Sequence, residues 1–156
     1  MLFPILIVKI IGGQTCELYN AISECNLQEI VQLYPPRSYL GSLSEVASAD
    51  VAVLIEAPCE EGIFLPSKFV DYLRLGVPIM AVSPKEGTIN DVLKRSGGGM
   101  IADNRSAQSV AETLEVLWTY WKKGNLKEEF SSDRTVAQYS EPKVLSLYEN
   151  LFESIL

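Results

Sequence analysis

The segment from Leu65 to Val82 constrains the fold most, because it reads as a loop, a helix, a tight turn and a buried strand in succession. Pro66 suits the first turn of a helix, where a missing N–H costs little, and Ser67 is a good capping residue. Gly76 stands where a left-handed residue commonly ends a helix. The apolar run from 77 to 82 is typical of a strand covered on both faces. The segment therefore predicts one helix–strand unit of an α/β sheet.

The rest of the chain repeats this alternation of strand and helix. Apolar strands are predicted over 2–11, 29–34, 51–55 and 100–102, and helical patterns with short loops separate them. No internal repeat or linker interrupts the order. We therefore expect an α/β fold, an open, doubly wound, Rossmann-like parallel sheet with helices on both faces, formed by a single domain over residues 1–156.

Apolar residues at helical spacing also predict which helix faces are buried. Ser38 is expected to cap a helix with an inward stripe of Leu40, Leu43, Val46 and Ala47. The segment 141–156 predicts a last helix with an apolar side of Val144, Leu147, Tyr148, Leu151, Phe152 and Ile155. Trp118 and Trp121 are expected to pack in the core or to cover a face between domains.

The composition excludes several classes of function. The chain of 156 residues is 47% hydrophobic and 21% charged, which fits one soluble globular domain. Its net charge of −7 argues against a nucleic-acid partner, and no apolar run reaches the roughly 18 residues that span a bilayer. Histidine is absent, which removes a histidine base, a histidine-based triad and a histidine-ligated metal. The three cysteines lack metal-type spacing and predict reduced thiols in the cytoplasm.

The start of the predicted central helix is the strongest candidate site. The first N–H groups of a helix, with Lys68 beside them, form a natural seat for an anion such as phosphate. Asp71 follows Ser67 by one turn on the same face, where its carboxylate could accept hydrogen bonds from sugar hydroxyls. The alternative is an ordinary helix start with a surface lysine. The helix start follows a buried parallel strand, at the end of the sheet where ligands bind in such folds, and this favours a binding site.

Two further turns follow strands at the same predicted end of the sheet. Gly12 and Gly13 form a turn of the kind that lets a diphosphate approach the backbone, although the dinucleotide fingerprint Gly-x-Gly-x-x-Gly is absent. Arg37 follows the Pro35-Pro36 pair after the second strand. Plain tight turns are the alternative reading of both.

The central segment also resembles a known family. Its pattern Pro-Ser-Lys-x-x-Asp-Tyr-Leu-x-x-Gly-x-Pro-Ile, residues 66–79, is similar to the sugar-nucleotide-binding segment of GT-B glycosyltransferases, particularly the retaining group that builds bacterial surface polysaccharides. The order of the remaining motifs agrees, from the glycine turn at 12–13 to the glycine-rich turn before Met100. The resemblance implies the C-terminal, donor-binding half of such an enzyme, with the N-terminal acceptor domain absent.

The resemblance also implies roles for individual residues. Those expected to bind the nucleotide-sugar are Gly12, Gly13, Arg37, Pro66, Ser67, Lys68 and Asp71. Many relatives carry a catalytic glutamate eight residues before the acidic residue that corresponds to Asp71. In this chain Ile63 occupies that position. Glu60 or Glu61 is therefore expected to fill the catalytic role, and a merely solvated acidic loop is the alternative. No cofactor and no metal are expected.

The resemblance thus implies a nucleotide-diphospho-sugar-binding half of a glycosyltransferase of bacterial polysaccharide or glycoconjugate biosynthesis. The isolated chain is expected to be inactive. Its expected partner is an N-terminal acceptor domain or a separate subunit, which would place the protein in the cytoplasm or at the inner face of the membrane. Two alternatives are half of a GT-B-shaped nucleotide-sugar epimerase and a non-enzymatic flavodoxin-like or receiver-like module. A receiver would need acidic residues that Gly12-Gly13 and Glu56 do not supply.

Overall fold

The computed structural model of the protein describes residues 6–155, without the side chains of residues 134 and 135. Residues 2–5 of the first predicted strand thus lie outside the described chain. The chain divides into two compact units, one up to Ser44 and the other from Glu45 onward. Each unit contains parallel strands and helices, so the predicted α/β fold class is confirmed.

The first unit is a parallel strand pair with its connecting helix. Its elements are β1 (Val8–Ile11), α1 (Cys16–Glu24), β2 (Val31–Tyr34) and the start of α2 (Tyr39–Ala47). Val8 pairs with Val31, and the register continues to the last residue of both strands. Strand β2 starts later than predicted because Ile30 N and Val31 N both donate to the carbonyl of Leu27, at 3.0 and 2.8 Å, which closes a turn.

Helix α2 begins as predicted but buries less than predicted. Ser38 Oγ accepts a hydrogen bond from Gly41 N at 3.2 Å, the contact expected of a capping residue. Leu40 is 75% exposed, and the expectation that it belongs to a buried stripe is wrong. Ala47 is exposed as well, whereas Leu43 and Val46 are half-buried.

Within the described residues, the second unit contains the end of α2, a three-stranded parallel sheet and six further helices. Its elements after α2 are β3 (Ala52–Ile55), α3 (Ser67–Arg74), β4 (Ile79–Ser83), α4 (Thr88–Ser96), β5 (Gly99–Asp103), α5 (Ala107–Lys123), α6 (Leu126–Glu129), α7 (Asp133–Gln138) and α8 (Glu141–Glu153). The strand order is β3-β4-β5. Ile79 pairs with Ala52 on one side and with Gly99 on the other, so β4 is the central strand.

Helices cover β4 on both faces, as its apolar run predicted. Ile79 and Ala81 pack in one cluster with side chains of α3 and α4. Met80, on the alternate face, packs with Ala102, Leu117 of α5 and Leu126 of α6. The second unit is therefore wound on both sides of its sheet.

Helix α3 ends in a left-handed glycine, as the sequence predicts. Gly76 has a φ of +65°, and its N–H donates to the carbonyl of Leu73 at 3.0 Å. Val77 N reaches the carbonyl of Tyr72 at 3.4 Å, which completes the paired hydrogen bonds of a Schellman ending. At the other end the prediction is wrong by one residue, because Pro66 occupies the capping position and Ser67 is the first helical residue.

The short helices α6 and α7 have no counterpart in the sequence-based prediction. Leu126 of α6 is buried beside α5. Ser132, just before α7, donates from Oγ to the carbonyl of Leu73 at 2.8 Å, and Val136 and Tyr139 pack against the core that α3 enters. The segment after α5 is therefore an integral part of the second unit.

Two apolar surfaces of the second unit remain open. Strand β3 buries Ala52 and Leu54 but leaves Ile55 74% exposed and Val53 exposed as well. The predicted apolar side of α8 is exposed along the whole helix. Within residues 6–155, no helix combines the length and the apolar character that crossing a bilayer requires.

Candidate functional site

The carboxyl ends of the three parallel strands bring polar residues to one edge of the second unit. Glu56 follows β3, Ser83 ends β4 and Asp103 ends β5. Between Glu56 and α3 runs a loop over residues 56–66, called here the 56–66 loop. Ligand sites of parallel α/β folds form outside this edge, where the sequence predicts one.

The first two amides of α3 have no hydrogen-bond acceptor within the helix or from a side-chain cap. Pro66 offers no side-chain cap, and the first intrahelical donor is Phe69 N, which reaches the carbonyl of Pro66 at 2.9 Å. The amides of Ser67 and Lys68 therefore precede the hydrogen-bonded helix, and both side chains are exposed. A helix start with an exposed hydroxyl and an ammonium group is chemically suited to an anion.

One turn further along α3, Asp71 is half-buried and follows Ser67 at the spacing that shares a helix face. The next residue, Tyr72, packs against the core, and burial raises the pKa of its phenol, with the Asp71 charge as the second cause. Asp71 therefore projects from a helix that the core holds in place.

The 56–66 loop is attached to its neighbours at several points. Glu56 Oε2 accepts a hydrogen bond from Ser83 Oγ at 2.5 Å. Gly62 N donates to the carbonyl of Glu86 at 2.9 Å, and Thr88 N donates to the carbonyl of Gly62 at 2.7 Å. Sequence reasoning did not assign Glu56 to the site, because its partner lies 27 residues away and no local pattern signals the contact.

The two residues predicted to be catalytic lie in the same loop. Glu60 and Glu61 have exposed side chains, and the carbonyl of Glu61 accepts a weak hydrogen bond from Cys59 Sγ at 3.3 Å. Ile63 and Phe64, which follow, are exposed as well. The structure places both carboxylates in the loop that leads to α3, and their catalytic role stays a prediction.

Asp103, at the end of β5, is a paired carboxylate. Its Oδ2 lies 3.5 Å from Lys85 Nζ and its Oδ1 lies 3.8 Å from Arg105 Nε. A hydrogen bond from the Arg105 backbone amide, and then the charges of Lys85 and Arg105, lower the pKa of Asp103. Lys85 and Arg105 thus face the carboxylate of Asp103. Lys68 lies in a different segment, at the start of α3.

The glycine turn predicted to approach a diphosphate lies in the first unit. Gly12 has a φ of +83°, and its N–H donates to the carbonyl of Tyr34 at 3.0 Å. A Cβ on Gly12 would lie 3.8 Å from Pro36 Cα, so the glycine turn contacts the segment that leads to the exposed Arg37. The structure brings Gly12, Gly13 and the 35–37 turn together after β1 and β2, and their binding roles stay predictions.

These features define a Rossmann-like α/β protein with polar residues at the carboxyl ends of its strands. The fold is similar to that of sucrose-phosphate synthase from Thermosynechococcus elongatus, a GT-B glycosyltransferase, with a TM-score of 0.57 and 14% sequence identity. The similarity covers 94% of this chain and 38% of that chain, and it shows the fold. No protein-family model and no curated protein sequence matches the chain.

Proposed function

We propose that this chain binds a nucleotide-diphospho-sugar and forms the donor half of a glycosyltransferase. The observation that carries the proposal is the uncapped, exposed start of α3, with Ser67 and Lys68, directly after the loop that leaves β3. The fold similarity to part of a glycosyltransferase supports it.

In the proposed complex the diphosphate lies against the start of α3. The amides of Ser67 and Lys68 and the Lys68 ammonium group meet its negative charge, and Asp71 accepts hydrogen bonds from ribose hydroxyls. Gly12, Gly13 and Arg37 of the first unit are proposed to contribute to nucleotide-sugar binding.

During transfer, the bond between the anomeric carbon and the diphosphate oxygen breaks with its electron pair left on the diphosphate. An acceptor hydroxyl oxygen bonds to that carbon and gives its proton to the leaving diphosphate. Negative charge develops on the leaving diphosphate during the reaction. The N–H groups fixed at the start of α3 therefore stabilise the transition state more than they stabilise the bound nucleotide-sugar. Glu60 or Glu61 is proposed as the carboxylate beside the reacting sugar. The positive charge of the α3 start and of Lys68 is proposed to stabilise the leaving diphosphate without a metal ion.

The acceptor site is proposed to lie on a partner, because the similarity covers only 38% of the sucrose-phosphate synthase chain. That partner is an N-terminal α/β domain or a separate subunit, and the chain alone would not transfer sugar. A role in bacterial polysaccharide or glycoconjugate synthesis, in the cytoplasm or at the inner face of the membrane, is proposed from the motif resemblance in residues 66–79.

The proposal is tested by thermal unfolding and calorimetric titration with UDP, GDP and UDP-glucose, each with and without magnesium. A ligand at a hundred times its dissociation constant adds about 2.7 kcal/mol of stability, so a binding nucleotide raises the melting temperature. We expect such a rise for one base, in the absence of magnesium. No rise with any of the three ligands contradicts the proposal.

A Lys68→Ala variant locates the site. Hydrogen bonds to charged groups contribute about 1.5–3 kcal/mol, so its affinity for the nucleotide should fall about tenfold or more. Lys94→Ala removes another exposed lysine, near the end of α4, and should bind like the wild type. Equal affinities of the two variants would contradict the assignment of the diphosphate site to α3.

A further inference from the structure

The contacts of Glu56 carry an inference that neither the sequence motif nor the fold similarity supplies. We propose that Glu56 is a positioning residue, whose carboxylate holds the 56–66 loop in the conformation that presents the start of α3 to its ligand. The ligand part of this inference rests on the proposed function.

The first contact ties the loop to the most buried strand of the unit. Ser83 is the last residue of β4 and is 2% exposed, whereas Glu56 is half-buried and directly follows β3. The 2.5 Å separation of Ser83 Oγ and Glu56 Oε2 is typical of a hydroxyl donating to a carboxylate, which is stronger than a neutral hydrogen bond. Ser83 is therefore a buried attachment point for the loop.

The same carboxylate lies against the middle of the loop. A Cβ built on Gly62 would stand 3.0 Å from Glu56 Oε2, so the carboxylate fills the space beside this glycine. Gly62 in turn pairs with Gly87, where a Cβ would fall 2.3 Å from the Gly62 carbonyl oxygen. Gly87 also has a φ of +136°, which other residues rarely adopt. Both glycines thus allow the loop to approach the start of α4.

Asn104 adds a third connection, from the residue after β5. Its Nδ2 donates to the carbonyls of Glu56 and Ala57, both at 3.2 Å, while its backbone N–H donates to the carbonyl of Ser83 at 3.2 Å. Glu56, Gly62, Ser83, Gly87 and Asn104 together are called the loop anchor. The anchor joins the ends of all three strands to the loop.

The anchor acts on α3 because little chain separates them. Residues 63–66 alone connect Gly62 to the first residue of α3, and an extended residue spans at most about 3.6 Å. A loop released at Glu56 would sample more conformations, and affinity falls in proportion to the fraction of molecules in the binding conformation. Glu56 therefore influences binding without touching the ligand.

The inference is tested with Glu56→Ala, Glu56→Gln and Glu128→Ala. Glutamine removes the charge but still accepts the Ser83 hydrogen bond, and Glu128 is an exposed carboxylate on α6 that controls for charge alone. The measurements are amide hydrogen exchange of residues 57–66 without ligand, the melting temperature, and the dissociation constants for UDP and GDP.

We expect Glu56→Ala to speed exchange in the loop and to raise the dissociation constant of the bound nucleotide about tenfold. Glu56→Gln should restore both properties, and Glu128→Ala should match the wild type. Wild-type exchange in Glu56→Ala would overturn the inference, as would a general loss of melting temperature that glutamine does not restore.

The two proposals fail separately in this experiment. If the wild type binds no nucleotide, the proposed function fails, while loop exchange in the absence of ligand still decides whether Glu56 holds the loop. If the wild type binds and Glu56→Ala binds equally well, the proposed function stands and Glu56 has no positioning role.

Discussion

Helices α3 and α8 are both amphipathic, yet they differ in what their apolar sides contact. In α3, Phe69 and Leu73 are 0% and 1% exposed, and the core closes over them. In α8, Leu151 is 53% exposed, and the described residues of the helix include no buried side chain. A periodic apolar pattern thus predicts a helix and its face, whereas burial depends on what else the chain places against that face.

The largest expected effect separates the two helices by stability. Leu73→Ala should lower the free energy of unfolding by about 2–5 kcal/mol, because it leaves a cavity in the core. Leu151→Ala removes an exposed side chain of the same type and should change it by less than about 0.5 kcal/mol. Urea denaturation followed by circular dichroism measures both. A comparable loss in the two variants would mean that the apolar side of α8 is covered in solution.

A smaller effect is expected where the two helices end. Gly76 closes α3 in the left-handed region with no atom within 4 Å of a built Cβ, so alanine adds backbone strain without a clash. Gly76→Ala should cost about 1–2 kcal/mol. Ser154, which ends α8 in a right-handed conformation, accepts alanine without such strain. If urea midpoints show the same small change for both variants, the left-handed conformation at position 76 does not strain an alanine there.

The smallest effect appears only at alkaline pH. Because the pKa of Tyr72 is raised in the folded state, its phenol ionises first in the unfolded chain, from about pH 10. The contribution of this tyrosine to the free energy of unfolding is therefore present below that pH and is lost as pH rises towards the folded pKa. Tyr72→Phe should therefore lose less stability than the wild type between pH 9 and 11. Burial also raises the pKa of Tyr139, so part of the alkaline loss should persist in the variant. Identical pH profiles would contradict the burial of the Tyr72 phenol.

Local signals in the sequence predicted α3 and β4 well. Pro66, Gly76 and the apolar run after it are contiguous, so the helix bounds and the doubly covered strand could be predicted from neighbours alone. The prediction of the capping position was wrong by one residue because proline and serine both suit a helix start. The exposure of Leu40 could not be predicted, since it depends on distant packing.

The candidate site was predicted only in part for the same reason. Ser67, Lys68 and Asp71 lie within one helix and could be assigned from spacing. The hydrogen bond between Glu56 and Ser83 joins residues 27 positions apart, and Asn104 reaches Glu56 across 48 positions. Such contacts arise from the order of the parallel strands, which spacing along the chain does not reveal.

The hydrogen bond from Ser132 to Leu73 also indicates the shortest polypeptide that can fold as the second unit. A polypeptide trimmed after α5 would leave the Leu73 carbonyl without this donor and would strip Tyr139 from the core. Trimming after Tyr139 would remove only α8, whose apolar side the described residues leave exposed. Limited digestion should therefore yield a resistant fragment that retains α7, which marks the true C-terminal limit of the folding unit.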